Sequence, residues 1–242
     1  ELWTFLWQPP AEKISWNDFL QIIEEAVKAG KMATAKGFYF LPNKEINVES
    51  RQRAQVLVEK KITIARQAVS VLAAVPGVEA IFICNTVAAG WPSVNSDIDL
   101  LVVVKPGRLW LTRFLFTITT MVLTKRRHDH RVADHLCLSF YLTRDHLNLA
   151  EVRGSSPDIY LIYWLQQLIF LSGDPLVLTE LAKANNWVRE YTPNCMALKY
   201  GIEPLGTVSG FGRLVKQIGE SLCFGWLEKG VRQFQKSRID SK

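Results

Sequence analysis

Two aspartates one residue apart, Asp97 and Asp99, open the apolar run Ile98-Asp99-Leu100-Leu101-Val102-Val103-Val104. Successive side chains of a strand point to opposite faces, so these two carboxylates share a face. Side by side they repel each other unless a cation lies between them. Hard divalent ions such as Mg²⁺ (or Mn²⁺) favour such oxygen ligands. Upstream, a second apolar run, Val78–Cys84, ends on Asn85-Thr86. A turn containing Gly90, Pro92, Ser93, Asn95 and Ser96 joins the two runs. Thr86 offers a hydroxyl and turn amides where a phosphate can lie. Acid pair, hydroxyl and tight turn together form a layout for metal-assisted phosphoryl or nucleotidyl transfer.

These residues resemble the DNA polymerase β-like nucleotidyltransferase superfamily. Its minimal prokaryotic members read Gly-Ser-Val-Ala-Arg-Gly, a short loop, then Ser-Asp-Ile-Asp-Leu-Leu-Val. Here Asn85-Thr86-Val87-Ala88-Ala89-Gly90 and Ser96-Asp97-Ile98-Asp99-Leu100-Leu101-Val102 match that spacing without a gap. Asn85 stands for Gly, Thr86 for Ser and Ala89 for Arg. Thr86 keeps the hydroxyl, and Asn tolerates left-handed backbone angles better than most residues. The resemblance implies an α+β fold, a nucleotidyltransferase-like mixed sheet with helices on one face. It implies an enzyme moving a nucleoside monophosphate from a nucleoside triphosphate (NTP) to an acceptor hydroxyl. Asp97 and Asp99 would hold the metal, with Asn85, Thr86, Gly90 and Ser96 around the phosphates.

Active members of that superfamily usually carry a third carboxylate on a later strand. The candidate strand here is Leu136–Leu142, preceded by Asp134-His135. Alternation predicts that it pairs beside the Asp97–Val104 strand. Leu136, Leu138 and Phe140 then lie under the helices, and His135, Cys137 and Ser139 face the cleft. No carboxylate stands on that open face. The third catalytic acid is missing, supplied by Asp134 at the strand rim, or replaced by His135. An alternative reading follows: a catalytically weak or inactive nucleotidyltransferase-like module that binds nucleic acid or a protein partner.

The chain has 242 residues, 48% of them hydrophobic, enough for one large domain or a few small ones. A formal charge of +6 favours acidic partners, namely nucleotides, RNA or DNA, or an anionic surface. Four dispersed cysteines, Cys84, Cys137, Cys195 and Cys223, give no disulfide framework and read as reduced thiols in a cytoplasmic protein. The apolar segments Leu109–Leu123 and Ile159–Leu171 are too short for a transmembrane span and read as core helices. The run His128-Asp129-His130 beside Lys125, Arg126, Arg127 and Arg131 reads as a solvated basic loop more readily than as a metal site.

Helical spacing of apolar residues predicts helix over 12–36, capped by Ser15 or Asn17 and broken at Gly30, followed by an aromatic strand at 37–42. Residues 1–45 thereby resemble a winged-helix module, or else pack on the main domain. A long helix capped by Asn47 runs to about Ala74, where Pro76-Gly77 stops it. Residues 46–150 read as the nucleotidyltransferase-like domain that the resemblance implies. Residues 151–242 read as a helical cap. It ends in a basic amphipathic tail from Gly210 to about Ile239, suited to docking on the domain, to RNA or to an acidic membrane surface.

Overall fold

A computed structural model of the chain describes residues 1–7, 14–123, 132–154, 156–195, 209–221 and 225–240. The elements run α1 Trp16–Lys28, β1 Ala33–Ala35, β2 Phe38–Phe40, α2 Ile46–Leu72, β3 Val78–Ile83, α3 Asn85–Ala89, β4 Ile98–Val104 and α4 Leu109–Val122. There follow β5 Leu136–Thr143, α5 Ile159–Gln167, β6 Ile169–Gly173, α6 Pro175–Ala184, α7 Gly210–Ser221 and α8 Gly225–Asp240. The basic loop at 124–131 and Cys223 lie outside the described residues.

The main sheet has the order β5-β4-β3-β6 and is mixed: β3 is antiparallel to β4 and β6, while β4 and β5 run parallel. The class is therefore α+β. Every residue of β4 is buried, as befits a central strand covered on both faces. On one face Ile81, Ile83, Leu100, Val102 and Val104 pack with Ala65, Val69 and Leu72 of α2 and Phe116 of α4. On the other, Phe82, Leu101 and Val103 pack with Ile162 and Leu165 of α5 and Val177, Leu178 and Leu181 of α6. The expectation of helices on one face is thus corrected: both faces are covered. The second cover is drawn from residues beyond 150.

The same region corrects another expectation. Ile159–Leu171 is not one helix. It ends at Gln167, and Ile169–Gly173 extends as β6 along β3. Gly173 takes φ +130°, and a Cβ there would stand 2.2 Å from Glu79 O and 2.6 Å from Ala80 Cα. Backbone cannot yield as a flexible side chain does. Gly173→Ala is expected to destabilise the fold by at least about 2–3 kcal/mol in urea unfolding. A change within about 0.5 kcal/mol would show that β6 is not seated this closely on β3.

At the N-terminus, Ser15 caps α1 in a capping box with Asp18. The helix stops at Lys28, where the chain turns through Gly30 at φ +67° as expected, but the β1–β2 hairpin follows in place of a second helix. Between residues 1 and 45 the described residues hold one helix and one hairpin. The N-cap of α2 is Glu45, without a side-chain cap bond, and Asn47 lies inside the first turn.

The basic tail folds back. Glu228 of α8 accepts hydrogen bonds from Trp110 N (2.9 Å) and Leu111 N (2.8 Å), capping α4, whose own N-cap residue makes no side-chain bond. In α7, Lys216 donates to Val78 O and Glu220 pairs with Lys105. Docking on the domain is the arrangement observed. No helix among the described residues is long and apolar enough to cross a membrane.

Candidate functional site

Asp99 sits in β4 opposite Cys137 of β5, and Asp97 lies just before the strand. Asp97 and Asp99 line a cavity of about 490 Å³ with Asn85, Thr86, Ala89 and Ser96 on one side. Ile159, Tyr160, Tyr163, Trp164 and Gln167 of α5 form the other side. A slightly larger cavity of about 560 Å³ among Gln166, Asn185, Arg189 and Cys195 contains no carboxylate. Chemistry rather than volume therefore marks the site.

Asn85 connects the two sides. It stands at φ +56°, in the left-handed region that Asn tolerates. Its Oδ1 accepts from Trp164 Nε1 (2.7 Å) and Tyr160 OH (3.2 Å), and its side chain also hydrogen-bonds Asp99. Gly90 ends the short helix α3 at φ +87°, and its carbonyl accepts from Arg51 of α2 at 2.5 Å. Thr86 is exposed at the cavity wall. Trp91, next in the loop, lies outside this cavity with the Arg51 guanidinium 4.9 Å from its ring centre.

Asp99 is only 9% exposed. Burial and the charge of Asp97 push its carboxyl above the ordinary carboxylate value, against hydrogen bonds from Asn85, Cys137 and Ser139 that oppose the shift. Cys137 Sγ lies 2.7 Å from Ser139 Oγ, which reaches Asp99 Oδ1 at 3.5 Å. One ligand atom each from Asp97, Asp99 and Cys137 can stand within 4.8 Å of the others, a spacing that suits a shared metal ion.

The third strand pairs beside β4 as expected, and the two run parallel, with Cys137 and Ser139 on the acid side and Leu136 and Leu138 on the α2/α4 side. Phe140 is the correction. Between the pairs Asp99↔Cys137 and Leu101↔Phe140 the register shifts by one residue. That bulge reverses the alternation. Phe140 consequently lies on the α5 side, edge-on to Trp164 at 5.3 Å, and Tyr141 takes the place under the helices. His135, expected in the cleft with Cys137 and Ser139, has Nδ1 2.7 Å from Ala133 O, and none of the three is among the residues lining the cavity.

Asp134, the candidate third acid, is engaged elsewhere. Its carboxylate pairs with Lys60 Nζ (2.5 Å) and Lys61 Nζ (2.7 Å). Burial pushes its carboxyl up, but hydrogen bonds and charge from the two lysines outweigh this and hold it below the usual range. Lys61 is fully buried and also donates to Ser96 O at 2.6 Å. It pins the residue that precedes Asp97. A sequence signal for this exists: Ala54, Val58, Lys61, Ala65, Ala68 and Leu72 form one buried stripe at helical spacing. The α5 aromatic wall had no comparable signal.

No protein-family model, curated protein or solved structure matches the chain.

Proposed function

We propose that the chain is a nucleotidyltransferase-like protein that binds an NTP with Mg²⁺ or Mn²⁺ and transfers its nucleoside monophosphate to an acceptor hydroxyl. The observation that carries this reading is Asp97 and Asp99, set together at the head of β4, lining one cavity with Thr86. The two carboxylates fit Mg²⁺, which is commonly held by one or two carboxylates plus substrate phosphates. A bound divalent ion would neutralise charge developing on the transferring phosphoryl group. Thr86 Oγ1 and the turn amides would donate to the outer phosphates, and the α5 wall would exclude water. The acceptor oxygen bonds to the α-phosphorus as its bond to the pyrophosphate oxygen breaks, and the acceptor proton leaves to solvent. The acceptor class, RNA or DNA end, protein side chain or small molecule, is left open.

A specific observation favours a second reading, a module that binds NTP and metal with little or no turnover. The strand position opposite Asp99 holds Cys137, and Asp134 is paired with two lysines. An α-phosphate-labelled NTP incubated with the protein, Mg²⁺ and pooled RNA or protein acceptors separates the two. Label transfer lost in Asp97→Asn supports the enzyme. Equilibrium binding of the NTP, lost in the same variant, without transfer supports the module. Metal-dependent NTP binding that survives Asp97→Asn would refute both.

A further inference from the structure

We propose that Cys137 makes this a mixed carboxylate–thiolate metal site that takes a thiophilic divalent ion, of the Zn²⁺ or Co²⁺ kind, in preference to Mg²⁺. The inference rests on the reading of Asp97 and Asp99 as metal ligands and on nothing about nucleotide or turnover.

Three features carry it. The donor set is convergent: Asp97 just before β4, Asp99 in β4 and Cys137 in the neighbouring β5 offer ligand atoms within 4.8 Å of one another. Register places it there, because Asp99 and Cys137 are direct partners across the parallel β4–β5 ladder. The following bulge leaves this pair in step and shifts only the residues beyond it. Lastly, the partners identified for Asp99 are all neutral, Asn85, Cys137 and Ser139, although it is 9% exposed and lies beside a second carboxylate. A carboxylate so placed calls for a cation, and the third atom facing that position is sulfur.

Ligand type then sets the preference. Thiolate selects Zn²⁺ and its softer neighbours, whereas Mg²⁺ wants oxygen throughout. Two carboxylate oxygens and one sulfur leave a further position for water or a phosphate oxygen, the arrangement of an open rather than a closed zinc site. On binding, the Cys137 S–H bond breaks, its proton passes to solvent, and a sulfur–metal bond forms with no change of oxidation state. Cys84 is not the donor. The ligand atoms that converge are those of Asp97, Asp99 and Cys137.

The test uses the full-length, metal-free protein and Co²⁺, whose bond to thiolate gives a near-ultraviolet charge-transfer band. The wild type should show that band in a saturable titration, and Zn²⁺ should abolish it. Excess Mg²⁺ should not. Cys137→Ser should lose the band and bind Zn²⁺ at least about tenfold more weakly. Cys137→Asp, which restores an all-carboxylate set, should lose the band and reverse the preference toward Mg²⁺. No band in the wild type, or a band and Zn²⁺ affinity unchanged in both variants, would overturn the proposal. Mg²⁺-dependent NTP binding without a thiolate band would sink this inference and spare the proposed function. A Cys137-dependent band without NTP binding would do the reverse.

Discussion

Under the proposed function, Asp99→Asn should weaken metal-dependent nucleotide binding at least about 100-fold, since a metal ligand supplies several kcal/mol of charge stabilisation. The same change should stabilise the metal-free fold, by about 0.5–2 kcal/mol, the usual size of one stabilising substitution. Both effects come from one cause. Asp99 is buried beside Asp97 and titrates above its ordinary value of 3.8. Above that value the folded chain retains a proton that the unfolded chain has lost. Wild-type stability therefore falls as pH rises from 3.8 through the raised folded value, and the Asn variant should lack that slope. Urea unfolding across this window, with nucleotide titration in parallel, measures both. A variant that is less stable at every pH and binds nucleotide normally would contradict the assignment of Asp99 as a ligand.

Asp134→Ala is expected to cost about 3–5 kcal/mol, the loss typical when one partner of a buried ion pair is removed and the other stays charged. Lys61 would remain wholly buried, with Ser96 O as its hydrogen-bond acceptor. Residue 134 also stands at φ +61°, where alanine is strained by about 1 kcal/mol. Lys61→Met should cost less, about 1–2 kcal/mol. Its side chain fills similar space without charge, and Asp134 keeps Lys60. With Lys61→Met already present, Asp134→Ala should add little beyond the backbone strain. Denaturant unfolding of the two single variants and the double variant gives the coupling directly. Acid should act in the same direction. Because Asp134 titrates below its ordinary value, the stability it contributes is present above 3.8 and is lost as pH falls through the folded value. If Asp134 were instead a metal ligand, Asp134→Ala would lower metal affinity and leave apo stability nearly unchanged.

The acid pair was legible because its signal is local. Two strands joined by a Gly/Pro/Asn/Ser turn, with Asp97 and Asp99 in fixed alternation, need only short-range rules. Leu136–Leu142 was legible as a strand for the same reason, but Phe140 was not placed correctly. A bulge is a relation between two strands, and nothing in Leu138-Ser139-Phe140 announces it. Likewise β6 hides in an apolar run continuous with α5. Leu168 ends the helix without Gly or Pro, and only Gly173-Asp174-Pro175 marks a boundary afterwards. The cover on the second face was invisible for a related reason, since α5 and α6 read as helices but not as partners of β3 and β4. Lys61 illustrates a different limit. Its neighbours told which face it lies on, yet a lysine is so rarely buried unpaired that the partner Asp134, distant in sequence, had to be known first.

The long helix α2 holds the motif loop at both ends: Arg51 grips Gly90 O where the loop begins, and Lys61 grips Ser96 O where it closes. The two grips are separated by roughly 15 Å along the helix axis, at 1.5 Å per residue. The span of the loop is therefore fixed by a rod outside it, and its own covalent continuity carries little of the positional information. Ser93, Val94 and Asn95 at its crest are exposed. Extra length inserted there would bow outward into solvent at small entropic cost, leaving the hydroxyl of Thr86 and the two acids at their present separation. This chain can thus gain a longer loop between its two strands without re-evolving the placement of the acid pair itself.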